Sequence, residues 1–200
     1  MIKYLSLKEF IRAMPTNMIF VPLILAGLTT KFEFIYFTIG AIICEYLNYH
    51  EKKLMKIMFN DSKWIYRPKG AIQTGNILKC NPEINEANPV GMPSGHSQIT
   101  GFFVGYMIYR ALSKDKFKDN EKKEKKKMYQ RYIDNKIIVL SGIFILILVM
   151  LSRLEEKYCG DFCADVNGCH TILQVLIGGT IGIFQGSIWF RLFDYYEIDQ

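Results

Sequence analysis

Apolar residues in this chain gather in long blocks separated by polar stretches, instead of recurring at the period of two or about 3.6 that soluble folds show. Five blocks cover residues 17–30, 34–50, 94–112, 136–152 and 170–192. A bilayer core takes about 20 helical residues, and only helices or closed barrels cross it. The pattern therefore predicts an all-α integral membrane bundle with about five spans. The first block is short, so its helix is expected to borrow the turn before it or to tilt little. The second runs on into EKKLMKIMF and predicts one long helix with a charged end. Residues 1–16 (MIKYLSLKEFIRAMPT) lack the clean apolar core and small-residue cleavage site of a signal peptide. Tyr4, Leu7, Ile11 and Met14 fall on one stripe, which predicts an amphipathic interfacial segment.

Composition narrows the class. The 200 residues are half hydrophobic, yet mean hydropathy is only +0.09, because polar loops and a lysine-rich stretch dilute the apolar blocks. Disorder, coiled coil and a small disulfide-stapled module are excluded. No internal repeat or second domain is visible, so residues 1–200 read as one membrane-embedded domain. The net charge of +6 does not point to nucleic acid, since most of the excess sits in residues 113–136. That segment holds ten Lys and Arg against five acids, and the positive-inside rule makes it a cytoplasmic loop. Binding anionic lipid is the other use of such a stretch. Residues 61–93 and 153–169 then share the opposite, non-cytoplasmic face with the N-terminus, and the tail after Arg191 faces in.

Four of the five cysteines, Cys80, Cys159, Cys163 and Cys169, lie in those two outer loops. On an oxidising face they are expected to pair, in one of three connectivities. Zinc is the rival reading, but C-x3-C-x5-C matches no common zinc spacing. Cys44 lies inside a span and reads as a small buried apolar residue.

The same two loops collect the chemistry. One carries Arg67-Pro68 and ends in Gly91-Met92-Pro93-Ser94-Gly95-His96, where a span begins. The other opens with Ser152-Arg153 and ends at His170, again where a span begins, with Gln174 one turn later. First turns of helices offer unpaired N–H groups and a positive dipole end, a combination that binds phosphate. Pro93 suits a helix start, and Gly95 lets an anion approach the backbone. Arg67 and Arg153 add planar donor forks that match phosphate oxygens. The residues alone thus point to a cationic, metal-free oxyanion site with two histidines, at the outer membrane surface. His50 has no such company.

Arg67-Pro68, then Pro93-Ser94-Gly95-His96, then Ser152-Arg153 with His170 resemble the three-part signature of the type-2 phosphatidic acid phosphatase and vanadium haloperoxidase superfamily. Its pattern is Lys-x6-Arg-Pro, Pro-Ser-Gly-His, and Ser-Arg-x5-His-x3-Asp. The strings GMPSGHSQ (91–98) and HTILQVLIGG (170–179), with the run Glu45-x2-Asn48-x3-Lys52, look similar to its dolichyl-diphosphatase branch. The resemblance covers roughly residues 5–190. It implies a multi-pass membrane phosphatase that needs no metal or other cofactor and acts on a lipid phosphate or diphosphate. Polyprenyl (dolichyl) diphosphate is the first substrate it suggests, and phosphatidate or a sphingoid phosphate the second. An endomembrane such as the endoplasmic reticulum, with the site on the lumenal face, is the implied location. His170 is the implied nucleophile, giving a phosphohistidine, and His96 the general acid and later base. Gln174 would fix the His170 tautomer. Lys52, Arg67, Ser94, Gly95 and Arg153 would bind the phosphate and the transition-state charge.

The chain departs from that pattern in three places. Position 60, seven before Arg67, is Asn60; Lys52 matches the family lysine by its spacing from Asn48, with Lys56 and Lys63 as alternatives. Sixteen residues separate Arg153 from His170 instead of five, and Gln174 stands where aspartate is usual. These departures keep a non-catalytic membrane protein that binds phosphate lipids as a rival, whereas five spans argue against a soluble haloperoxidase. Two other patterns are weaker. Cys163-x-Asp165-x-Asn167-Gly168 with Gln174 mimics a calcium loop, but lacks carboxylates at its first and last positions. Gly178, Gly182 and Gly186 could dimerise helices, yet they share a face with His170 and Gln174, which favours packing within the subunit. The topology is testable: a tag within 118–126 should be reachable only from the cytoplasm, and one within 83–88 only from the other side. Both tags reachable from one side would overturn it.

Overall fold

The computed structural model describes residues 7–68, 90–113, 128–154 and 170–196. Its helices are α1 (Leu7–Thr29), α2 (Phe32–Phe59), α3 (Gly95–Leu112), α4 (Met128–Asp134), α5 (Lys136–Leu154) and α6 (Ile172–Tyr196). A 3-10 turn, Lys63–Ile65, follows α2, and an isolated antiparallel bridge joins Tyr66 to Val90. Every regular element among the described residues is helical, as the block pattern predicts. Cys80, Cys159, Cys163 and Cys169 lie outside the described residues, as do the basic positions 114–127; Cys44 is a buried free thiol.

α1 differs from the expected separate interfacial segment over 1–16. Residues 7–16 run without a break into the first apolar block, through Pro15 and Pro22. The reason is a continuous buried stripe: Ile11, Pro15, Pro22 and Ala26 are buried and Ile19 partly so, all at helical spacing. A short link at Thr30, which takes a left-handed φ of 55°, reverses the chain into α2. Its N–H donates to the Ala26 carbonyl at 2.9 Å, which closes the end of α1.

α2 is the expected single long helix of 28 residues. Its buried side begins with Phe37 and Ala41 and turns polar at Cys44 and Asn48. The bundle is divided the same way. At one end Phe37, Phe102, Tyr106, Phe190 and Phe193 form an aromatic cluster, with the Phe37 and Tyr106 rings edge to face at 5.0 Å. At the other end the helices bring polar side chains together.

α3 is the central helix, buried almost all round from Ser97 to Tyr106. It lies parallel to α6, and glycines on both let the backbones touch. A Cβ on Gly178 would collide with the Ser94 carbonyl, one on Gly182 with that of Gln98, and one on Gly186 with that of Phe102. In the other direction Gly101 meets the Gly179 carbonyl and Gly105 that of Ile183. The glycine stripe of α6 is therefore used inside this subunit and not against a second copy. The end of the 113–136 segment is not loop: α4 occupies Met128–Asp134. Arg131 Nη1 and Asn135 Nδ2 donate to the Leu112 and Ala111 carbonyls (3.1 and 3.0 Å), capping the C-terminus of α3.

Two helical stretches, Lys136–Leu154 and Ile172–Tyr195, are long and apolar enough to cross a membrane, and only 33% of each is buried inside the protein. The core helix of a soluble protein would be mostly covered; here Ile137, Phe144 and Phe184 point outward. The α3–α6 contact leads to a stability test. Gly182→Leu must force the backbones apart and is expected to cost roughly 1–3 kcal/mol or more, seen as a lower thermal midpoint in detergent. Gly27→Leu, with nothing within 4 Å of its added carbon, should leave the midpoint unchanged.

Candidate active site

The polar end of the bundle is organised around Gln174, which is fully buried. Its Nε2 donates to two backbone carbonyls, Trp64 (3.0 Å) and Tyr66, which can only accept. Its Oε1 must then face the other way, where it takes the Thr171 N–H at 3.3 Å and meets His170 Nδ1 at 3.1 Å. With the amide direction fixed by those carbonyls, His170 Nδ1 is the donor and carries the ring proton. The Nε2 lone pair of His170 is left free to act.

Thr171 and Gln174 also start α6. The Gln174 N–H donates to Thr171 Oγ1 at 3.4 Å while Gln174 Oε1 accepts from the Thr171 N–H, a reciprocal capping box. His170 consequently stands two residues before Ile172, outside the apolar stretch and ahead of the first helical turn in which the sequence places it. Its N–H donates to the Arg153 carbonyl at 3.2 Å, so the backbone itself joins the two ends of the long insertion. Gln174 is committed to these bonds, which removes it as a calcium ligand in the look-alike loop.

The second wall is the stretch Val90–Ser94. Gly91 and Met92 N–H groups donate to the Ile65 carbonyl (2.8 and 3.2 Å), and the Ser94 N–H donates to the Gln174 carbonyl at 3.1 Å. Gly91 is required by crowding, because a Cβ there would strike the Gln174 amide oxygen and the Arg67 side chain. Ser94 is the N-cap of α3 and Gly95 its first helical residue, so Pro93 lies before the helix and not in its first position. The Gln98 N–H donates to the Ser94 carbonyl, so the i→i−4 ladder of α3 begins at Gln98, and this first turn carries the positive end of the helix dipole. Ser94 makes no side-chain cap; its Oγ accepts from Ser97 Oγ at 3.2 Å and keeps its own proton for another acceptor. His96 is half-buried on this first turn.

Positive charge surrounds His170. Arg67, Arg153 and Lys52 all act on it electrostatically. Arg153 is buried, and burial pushes the Arg67 guanidinium down from its ordinary value. The structure brings Lys52 into this group, near Arg67, Arg153, Glu45 and Glu51, whereas Lys56 and Lys63 are exposed. His170 itself is held well below the usual imidazole range, first by burial and then by Arg67 and Arg153, against the weaker raising effect of the Gln174 bond. A neutral imidazole with a free Nε2, ringed by three cations and helix-start N–H groups, is suited to meet a phosphate.

The sequence profile of the PAP2 superfamily matches residues 33–197. The chain belongs to that superfamily. No curated protein and no solved structure matches it. PAP2 members are phosphatases, and the family points to lipid phosphates as substrates, which places this chain among phosphoric-ester hydrolases. The matched span holds all eight site residues read from the sequence: Lys52, Arg67, Ser94, Gly95, His96, Arg153, His170 and Gln174.

Three partners escaped that reading. Thr171 was legible as the start of a Thr-x-x-Gln capping box. Gln98 and Gln185 are buried or half-buried amides that no motif marks, and they enter below. The depressed pKa of His170 has a measurable sign. With His170 as the attacking group, the neutral form would be the one that reacts, and lowering the pKa preserves that form on acidification. The acid limb of kcat/KM should then lie below the 6.5 of an ordinary imidazole. An acid limb at or above 6.5 would show that His170 is not the group whose ionisation limits the reaction.

Proposed function

We propose that this PAP2 protein is a multi-span integral membrane phosphatase that hydrolyses a lipid diphosphate through a phosphohistidine on His170. Polyprenyl (dolichyl) diphosphate is the substrate proposed first. The observation that carries the reading is the fixed direction of the Gln174 amide, which leaves His170 Nε2 unprotonated among Lys52, Arg67 and Arg153. That nitrogen attacks phosphorus as the bond to the leaving oxygen breaks. His96 gives the leaving oxygen its proton and then takes one from water, which attacks the phosphohistidine and releases phosphate. The cations, the Ser94 hydroxyl and the Gly95 N–H hold the phosphoryl oxygens throughout. Loose phosphoryl-transfer transition states are served mainly by positioning and charge, so the proposed reaction runs without a metal.

In the proposed topology α1, α2 and α3 join the two long apolar helices as five spans, and with the basic 113–136 segment cytoplasmic the site faces the other side, the lumen of an endomembrane. There the hydrocarbon tail stays in the bilayer and the headgroup reaches the cations. Paired cysteines in the outer loops belong to the same proposal.

The two histidines have different jobs, and assays on lipid vesicles in EDTA separate them. His170→Ala is expected to abolish turnover of every substrate. His96→Ala should lose about 10²–10⁴-fold with an alcohol leaving group, which needs a proton. It should lose less with a diphosphate or the phosphate ester of an acidic phenol, whose leaving group departs unprotonated. The ratio of His96→Ala to wild-type activity therefore rises as leaving-group pKa falls, while His170→Ala stays at background. Leaving-group dependence in His170→Ala instead would exchange the two roles. Full activity in both variants would remove the proposal.

A further inference from the structure

Behind the phosphate-facing residues, a line of side-chain amides crosses from α3 to α2 and α6. Asn48 is buried on α2, and its Nδ2 donates to the Pro93 carbonyl at 3.3 Å and to Gln98 Oε1 at 2.6 Å. Gln98, fully buried on α3, passes its Nε2 to Gln185 Oε1 at 3.0 Å. Gln185 Oε1 also accepts from the Cys44 thiol at 3.3 Å, and Gln185 Nε2 donates to Glu51 Oε1 at 2.9 Å. Glu51 Oε2 is buried with no hydrogen-bond partner among the described residues.

Each amide has one donating and one accepting end, so the line has a direction. The Pro93 carbonyl can only accept, which requires the NH2 of Asn48 to face it. Gln98 must then present oxygen to Asn48 and nitrogen to Gln185, and Gln185 must present nitrogen to Glu51. Read from the other end, the Glu51 carboxylate accepts and sets the direction of every amide before it. Were the line to reverse, Asn48 would turn an oxygen on the Pro93 carbonyl. Asn48 Oδ1 also lies 3.0 Å from where a Cβ on Gly95 would sit, so the same side chain packs against the start of α3. Glu51 is adjacent in sequence to Lys52, which ties this line to the cationic wall.

We propose that Glu51, Gln185 and Gln98 are positioning residues that, through Asn48, hold Pro93–Gly95 in the geometry needed to bind the phosphoryl group. None of the three touches substrate. The inference rests on the phosphatase reading of the same site.

Isosteric exchanges test direction without changing volume. In Glu51→Gln the last group can donate as well as accept, so only the Pro93 carbonyl still sets the direction and the line is held from one end instead of two. The expected result is a kcat lower by roughly tenfold with KM within about twofold, the signature of misplaced groups and not of lost substrate binding. Gln185→Glu alone sets two carboxylates against each other and should be worse. The double variant, Glu51→Gln with Gln185→Glu, restores an acceptor next to Gln98 and a donor beside it. Its kcat should return to within about threefold of wild type. Wild-type kcat in Glu51→Gln, or a double variant no better than the worse single, would overturn the proposal. So would a thermal midpoint that follows the exchange while kcat does not, since the line would then be only structural.

Orthovanadate affinity of the same purified full-length proteins separates this inference from the phosphatase reading. It should weaken in Glu51→Gln and recover in the double variant. If wild type hydrolyses no lipid phosphate faster than His170→Ala, the phosphatase reading fails. Recovery of vanadate affinity by the exchange would still support the positioning line, and vanadate binding indifferent to the exchange would overturn it.

Discussion

Gln174 ties three otherwise separate parts of the chain to one another. Its Nε2 reaches back to the turn at Trp64 and Tyr66, its backbone carbonyl receives the Ser94 N–H, and its Oε1 holds both Thr171 and His170. Burying a primary amide is costly unless all of its groups are bonded, and here both ends are. The arrangement leaves little freedom. Moving the 3-10 turn removes the acceptors that orient the amide, and turning the amide places an NH2 group against the ring nitrogen of His170. The chemistry of the imidazole is thus decided by two main-chain carbonyls more than a hundred residues earlier in the chain.

Those carbonyls arrive at Gln174 because α3 and α6 lie close and parallel. Gly178, Gly182 and Gly186 accept the α3 backbone at each successive turn, and Gly101 and Gly105 return the contact. Parallel helices in register begin at the same level, so the N-terminus of α3 and the residues just before α6 meet at one end of the bundle. The Arg153 carbonyl and the His170 N–H bring the end of α5 to that level as well. The glycines therefore act on the site at a distance: they set how near the Ser94 backbone comes to Gln174. The aromatic cluster at the opposite end fills the same interface with large rings, where no ligand has to approach.

Much of this was legible in the sequence. Block hydrophobicity shows an all-helical bundle, because burial in a helical membrane protein leaves no short-period alternation to misread. Ser94, Gly95, His96, Arg153 and His170 stand at block boundaries, with Arg67 in the loop between two blocks, in a recognisable order, and the structure draws them to one end. The lysine was less legible, since Lys52, Lys56 and Lys63 differ only in which side of a helix or turn they occupy, and that depends on packing of the buried stripe through Cys44 and Asn48. The continuity of α1 back to Leu7 goes beyond the one borrowed turn that the short first block implies, because tertiary burial of Ile11 and Ala26 on one face carries the helix through Pro15. Gln98 and Gln185 were silent because a buried amide pair has no sequence spacing of its own; it is made by residues 87 positions apart on two helices that touch.

The substitution of glutamine for the family's usual aspartate at position 174 takes on a specific meaning in this geometry. A carboxylate could still accept from His170 Nδ1 and from the Thr171 N–H, and it would stabilise an imidazolium better than an amide does. It has no donor, however, and the Trp64 and Tyr66 carbonyls would face its second oxygen with nothing between them. Two buried acceptors would lose their partner and meet a negative charge. The turn at Lys63–Ile65 is therefore matched to an amide, and glutamine here is part of the local fold as well as of the site. Being neutral, Gln174 also adds no negative charge against the positive field of Lys52, Arg67 and Arg153 at His170. Burial first, and then the Arg67 and Arg153 charges, keep the imidazole neutral, and a bound phosphate anion would bring the negative charge that Gln174 does not.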